Sequence, residues 1–104
     1  MNQVRILLCC GAGMSSGFLA SNARKVAKKQ KMDVSVEARS HSEVGEYLSN
    51  IDVLLLGPHY ATELEHYKAL AEPHNVKVAV IPQDIYATLD GKRLLDLALE
   101  LSQK

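Results

Sequence analysis

The chain has 104 residues, with twelve basic side chains balanced by twelve acidic ones, 47% apolar residues and two cysteines. That length suits a single domain, residues 1–104, and the balanced charge excludes the broad positive field that nucleic-acid binding or attraction to anionic lipid requires. The longest apolar runs, Val4 to Cys10 and Val53 to Leu56, fall far short of the roughly 20 residues that cross a bilayer, and Ile6 to Cys10 is cut off by Gly11 too early for a signal-peptide core; a cytoplasmic protein with no membrane insertion is expected.

Short apolar runs recur at Val4 to Cys9, Val34 to Ala38, Val53 to Leu56 and Val76 to Ile81, each followed by a segment long enough for a helix. Val53-Leu54-Leu55-Leu56 shows no polar alternation, the mark of a strand covered on both faces. From Ser16 to Lys31, Leu19, Ala23, Val26 and Ala27 share one helical stripe while Arg24, Lys25, Lys28 and Lys29 face elsewhere. Those basic residues, with Lys31, suit either docking of an acidic partner or a solvated helix face. Ser40-His41-Ser42-Glu43 has the form of a capping box opening a second helix with Val44, Leu48 and Ile51 inward. A third helix is expected from about Tyr60 to Ala71, with Tyr60, Leu64, Tyr67 and Ala71 packed inward and Pro73 beyond its end. The fourth starts at Asp90, which can cap it, and buries Leu94, Leu95, Ala98 and Leu101.

Strict βα alternation predicts an α/β fold: an open, doubly wound, four-stranded parallel sheet, flavodoxin-like, in the order 2-1-3-4. Such sheets bind ligands beyond the carboxyl ends of the strands at the switch point, here between the first and third strands. Two loops are thereby selected, Cys10 to Gly17 and Gly57 to His59.

In the first loop, Gly11, Ala12, Gly13, Met14, Ser15, Ser16 and Gly17 run from a strand into a helix. Their amides can converge with the positive end of the helix dipole, making a nest for phosphate oxygens. Ser15 and Ser16 can add hydroxyl donors or cap the helix. The same field lowers the pKa of a cysteine at this place, so Cys10 is a candidate nucleophile for a phosphoryl group, although a cysteine at a strand end can also be a small buried hydrophobe. Strand alternation gives Cys9 that packing role. Adjacent cysteines close no useful loop, and without a C-x-x-C spacing neither redox chemistry nor a zinc ribbon has its ligands. His41, His66 and His74 are scattered and read as solvated; no metal or cofactor is expected.

A cysteine-dependent phosphatase of the low-molecular-weight type, built on the same sheet order, needs an arginine closing C-x5-R, where this chain has Ser16. No Asp-Pro pair supplies an acid for the leaving group. A phosphocysteine formed here would therefore persist until a specific acceptor arrives. Hydrolysis by a phosphatase-like site and anion binding without a covalent step remain as alternatives.

Cys10, then Ala12-Gly13-Met14-Ser15-Ser16, then a basic helix, with Asp52-Val53-Leu54-Leu55-Leu56-Gly57-Pro58 and Asp90-Gly91 further on, resembles the IIB component of the lactose/cellobiose class in the bacterial sugar phosphotransferase system over essentially the whole chain. The resemblance implies a low-molecular-weight-phosphatase-like sheet and a phosphoryl carrier. Cys10 would accept phosphate from a phosphohistidine of a IIA protein and pass it to a sugar such as cellobiose, lactose or chitobiose. That sugar is bound by a membrane IIC transporter, which would keep the protein peripheral to the inner membrane. His59 departs from the family pattern, in which glutamine is the commoner residue. At the end of the third strand it could steady a phosphate, meet a partner, or be a surface histidine without chemistry.

Overall fold

The computed structural model describes residues 3–10 and 14–103, with the side chains of Cys10, Met14, Ser15, Ser16 and His41 excepted. Strand β1 (Val4–Cys10) leads to α1 (Met14–Lys29), β2 (Val34–Ser40), α2 (Val44–Tyr47), β3 (Val53–Leu56), α3 (Leu64–Ala71), β4 (Lys77–Val80), α4 (Gln83–Thr88) and α5 (Gly91–Ser102). The four strands form one parallel sheet in the order β2-β1-β3-β4, as the alternation predicts. β1 and β3 are central, and β2 and β4 are the edges.

Two apolar clusters, one on each face of the sheet, explain the unalternating β3. Leu55 joins Ile6, Leu8, Val36, Leu19, Ala23, Leu94 and Leu95 on the side of α1 and α5, while Leu54 and Leu56 join Leu7, Val44, Leu48, Tyr67 and Ala71 on the side of α2 and α3. Every residue of β3 is fully buried, and burying one such leucine contributes roughly 1.5–3 kcal/mol.

Several elements differ from the sequence-based expectation. α1 begins at Met14 rather than Ser16, so the last four residues of the expected loop belong to the helix. The second helix is a single α-turn between 3-10 turns at His41–Glu43 and Leu48–Asn50, although Val44, Leu48 and Ile51 are buried as expected. Its capping box does not form: Ser40 Oγ donates to Glu43 Oε2 (3.1 Å) instead of accepting a backbone amide. The residues from Pro58 to Glu63 wind as a 3-10 turn, and α3 proper starts at Leu64, four residues later than expected. Pro73 sits early in another 3-10 turn, Glu72–His74, where its missing N–H costs nothing. α4 was not foreseen; its six residues are too few to show a helical period.

The ends of the strands remote from the switch point are tied by Asp52. Its carboxylate accepts from the Arg5 backbone amide (2.8 Å), Nε (3.2 Å) and Nη2 (3.3 Å). Its own backbone receives Lys77 N–H and donates to Arg5 O, joining β1, β3 and β4. Burial alone would raise the carboxyl pKa, but the hydrogen bonds and charge of Arg5 together outweigh it and hold it below the usual value. A depressed folded-state pKa means that this contribution is present above the unfolded value of about 3.9 and is lost as pH falls through the lower folded value. Urea midpoints measured downward from about pH 4 should fall less steeply for Asp52→Asn than for the parent chain; parallel profiles would show that Asp52 plays no part in acid unfolding.

Candidate active site

Cys10 is the last residue of central strand β1, and its backbone is in register with Ser40 of β2. On the other side of β1, Cys9 pairs with Leu56, and the Gly57 amide donates to the Cys9 carbonyl (2.9 Å). The end of β1 is therefore clamped between two strands where the sheet order reverses, the place at which doubly wound sheets hold ligands. Gly11, Ala12 and Gly13 lie outside the described residues. Met14, Ser15, Ser16 and Gly17 follow as the first turn of the 16-residue α1.

The amides of a first helical turn have no intrahelical acceptor and point toward the residues before the helix. Those of Met14 to Gly17 consequently lie at the positive end of a helix about 24 Å long. Ser15 and Ser16 belong to the first turn of the helix. A Cβ added at Gly17 would meet nothing within 4 Å, so no packing within the chain demands glycine there. A side chain there would enter open space among the described residues.

Gly57 is buried with extended backbone (φ −60°, ψ 154°), and Pro58 starts the turn that carries His59. His59 is exposed, and its ring meets Tyr86 of α4 edge-on, 6.1 Å between centroids. Sequence reasoning placed His59 correctly at the end of β3 but missed Tyr86, because α4 itself left no periodic signal.

Residues 5–97 match the family described as PTS system, Lactose/Cellobiose specific IIB subunit. The chain belongs to this PTS IIB family. It is 33% identical over 101 residues to the PTS system galactose-specific EIIB component of Lactococcus lactis subsp. cremoris (strain MG1363), with 92% of this chain and 94% of that protein covered. The solution structure of the cellobiose-specific phosphotransferase IIB component from Borrelia burgdorferi superposes with a TM-score of 0.81 at 28% identity, covering 98% of this chain and 94% of that one. A PTS system lactose-specific EIICB component of Lacticaseibacillus casei is 26% identical over 97 residues, 91% of this chain but only 17% of that protein. No helix among the described residues is long and apolar enough to cross a membrane.

In this PTS IIB chain the neighbouring Cys9 is set apart from the site. It is 1% exposed and packs among Leu7, Leu54, Leu56 and Val44 on the α2/α3 face. Tyr67, itself buried, hydrogen-bonds with Cys9; burial above all, then the charge and hydrogen bond of Cys9, then Glu63 and Tyr60, push its phenol up to about 12. Tyr67 is thus a neutral hydroxyl at any physiological pH. The helical spacing of Tyr60 and Tyr67 signalled packing, but nothing in it disclosed the contact with a thiol. Cys9→Ala should cost about 1–2 kcal/mol in urea unfolding, from the small void and the lost hydrogen bond, and should leave phosphorylation of the chain intact.

Proposed function

We propose that this protein is the cytoplasmic phosphoryl carrier of a sugar-specific phosphotransferase system, with Cys10 as its covalent site. The observation that carries the reading is the position of Cys10: the last residue of a central strand, at the point of sheet reversal, four residues ahead of the first residue of a long helix. The Cys10 thiolate attacks the phosphorus of a phosphohistidine on a IIA protein. An S–P bond forms, the P–N bond breaks, and the imidazole leaves as the neutral base once protonated. A sugar hydroxyl then attacks the same phosphorus; the O–P bond forms, the S–P bond breaks, the hydroxyl proton passes to a base, and the thiolate is restored. Between the steps Gly11, Ala12, Gly13, Met14, Ser15, Ser16 and Gly17 hold the phosphoryl oxygens through backbone amides, which suits the charge spread over three equatorial oxygens during transfer.

The sugar is of the lactose and cellobiose type, a disaccharide such as cellobiose, lactose or chitobiose, presented by a membrane IIC transporter that keeps the carrier at the inner membrane. The family description and the EIICB relative, in which a IIB-like portion belongs to a longer protein, support that partner. His59 is an accessory residue at the rim, held by Tyr86. The test is intact-protein mass spectrometry after incubation with phosphoenolpyruvate, the general phosphotransfer proteins and a cognate IIA. One phosphoryl addition, mapped to Cys10, is expected; no adduct from a demonstrably active donor, or an adduct on Cys9 or a histidine, would overturn the assignment.

A further inference from the structure

The two sides of α1 differ in kind. Leu19, Ala23 and Ala27 are buried against the sheet and α5. On the opposite side Phe18, Lys25 and Lys29 follow one another at i, i+7 and i+11, which at about 100° per residue places them on one line. Lys28 and Arg24 lie about 80° and 120° round the helix from that line, and Lys31 just past the end of the helix, all of them exposed. Phe18 is 59% exposed, more than any other large apolar side chain among the described residues. α1 contains no acidic residue, and among the described residues none of the five basic side chains forms an ion pair. On the adjoining α5, Asp96 is held by Lys92 at 3.4 Å. A chain of zero net charge therefore carries a broad positive face on α1, with an exposed aromatic side chain at one edge and one end of it.

We propose that this face seats the protein on the anionic surface of a lipid bilayer, with α1 lying along the headgroups. The five charges fall between residues 24 and 31, a span of about 11 Å along a helix, and at physiological salt their field decays within about 8 Å. Only a surface in contact can use all of them together. A plane of many equivalent anionic headgroups does so without matching each side chain; the apolar face of α1 is already taken up by the core, so the attraction is electrostatic, with Phe18 the one apolar ring among the described residues free to enter the headgroup layer. The orientation is consistent with such a seat, because α1 starts four residues beyond Cys10. A helix lying along the surface keeps the end of β1 at the membrane boundary. Zero net charge excludes a long-range field around the molecule; it does not exclude a local one produced by segregating charge. The contact involves no phosphoryl chemistry, so it stands or falls separately from the carrier reading.

The experiment is co-sedimentation of the full chain with vesicles of mixed phosphatidylglycerol and phosphatidylcholine and with vesicles of phosphatidylcholine alone. Binding is expected only with the anionic lipid and should fall as salt is raised. Each basic residue removed should weaken partitioning about fivefold, so that Lys25→Glu/Lys28→Glu/Lys29→Glu loses about a hundredfold or more while its circular dichroism and urea midpoint stay those of the parent. Phe18→Ala, which removes an exposed ring, should weaken partitioning by about five- to tenfold. Absence of binding to anionic vesicles, equal binding to both lipids, or an unimpaired triple variant overturns the proposal. So does a triple variant whose only defect is a raised KM for a phosphorylated donor protein, since the face would then be a dock for an acidic protein.

Discussion

Replacing Cys10 by serine is expected to abolish phosphoryl transfer, by on the order of 10³-fold or more, while changing stability by less than about 1 kcal/mol. The expectation rests on the difference between the two nucleophiles. A thiol with a pKa near 8.5 is drawn toward the thiolate by a helix N-terminus, whereas the same field leaves a serine hydroxyl, a far weaker acid, protonated at neutral pH. The change in volume is small, and the strand hydrogen bonds that fix the end of β1, including Gly57 N–H to the Cys9 carbonyl, involve only backbone. The comparison is made by intact mass and by sugar phosphorylation in the reconstituted system, with Cys9→Ala in parallel. Retained sugar phosphorylation in Cys10→Ser sinks the carrier mechanism. Undiminished phosphate binding by Cys10→Ser, together with no adduct in the parent, would identify an anion-binding module. Hydrolysis of an aryl phosphate by the parent would identify a phosphatase despite Ser16 standing where that chemistry needs arginine.

The parts of this fold that were legible in the sequence are those set by periodicity. The unbroken Val53–Leu56 run announced a strand buried on both faces, and the stripes Leu19/Ala23/Ala27 and Leu94/Leu95/Ala98 announced helices laid on a sheet. With β and α alternating, the strand order and the switch point followed, and these located the candidate site at Cys10. Less was legible where local hydrogen bonding competes with regular helix. Ser40, Ser42 and Glu43 satisfy one another's side chains (Ser40 to Ser42 3.0 Å, Ser40 to Glu43 3.1 Å), which leaves the backbone there in a 3-10 turn and defeats the capping box that their spacing suggests. Pro58 likewise opens a 3-10 turn and not the α-helix implied by the spacing of Tyr60, Leu64 and Tyr67. Contacts between elements, such as Tyr67 with Cys9 and His59 with Tyr86, join residues 58 and 27 positions apart, and no local pattern encodes them. The segregated charge on α1 was visible as a basic run, but only the burial of the opposite stripe and the exposure of Phe18 show which way it faces.

Gly91→Ala is expected to be the most damaging of the single-methyl additions at Gly17, Gly45 and Gly91. Asp90 caps α5 by accepting the Arg93 amide at 3.1 Å, which starts the helix at the glycine. There the backbone of α5 runs directly onto that of α1: a Cβ at Gly91 would fall 2.5 Å from the Ala23 nitrogen, 2.6 Å from the Asn22 carbonyl carbon and 2.8 Å from the Ala23 Cα. All three are backbone atoms in the middle of a helix, so no side-chain rotation relieves the overlap and the two helices must separate. Beside it, Asn22 Nδ2 donates to the Leu89 carbonyl at 2.9 Å, and Leu89 takes a left-handed conformation (φ 54°) to bring the chain round. Separation would stretch that bond and open the cluster of Leu19, Ala23, Leu94 and Leu95. A cost of about 3 kcal/mol, the upper part of the usual range for overpacking, corresponds to a fall in Tm of roughly 12 °C or more in a chain of this size. Because α1 supplies the first-turn amides beyond Cys10, the folded fraction of Gly91→Ala should also transfer phosphate more slowly, whereas Asn22→Ala, which loses one hydrogen bond and no helix contact, should cost only about 1 kcal/mol. Scanning calorimetry at neutral pH decides it: a Tm within about 2 °C of the parent would mean that α5 slides on α1 without resistance, and the close approach at Gly91 would not be what holds the helix carrying the site in place.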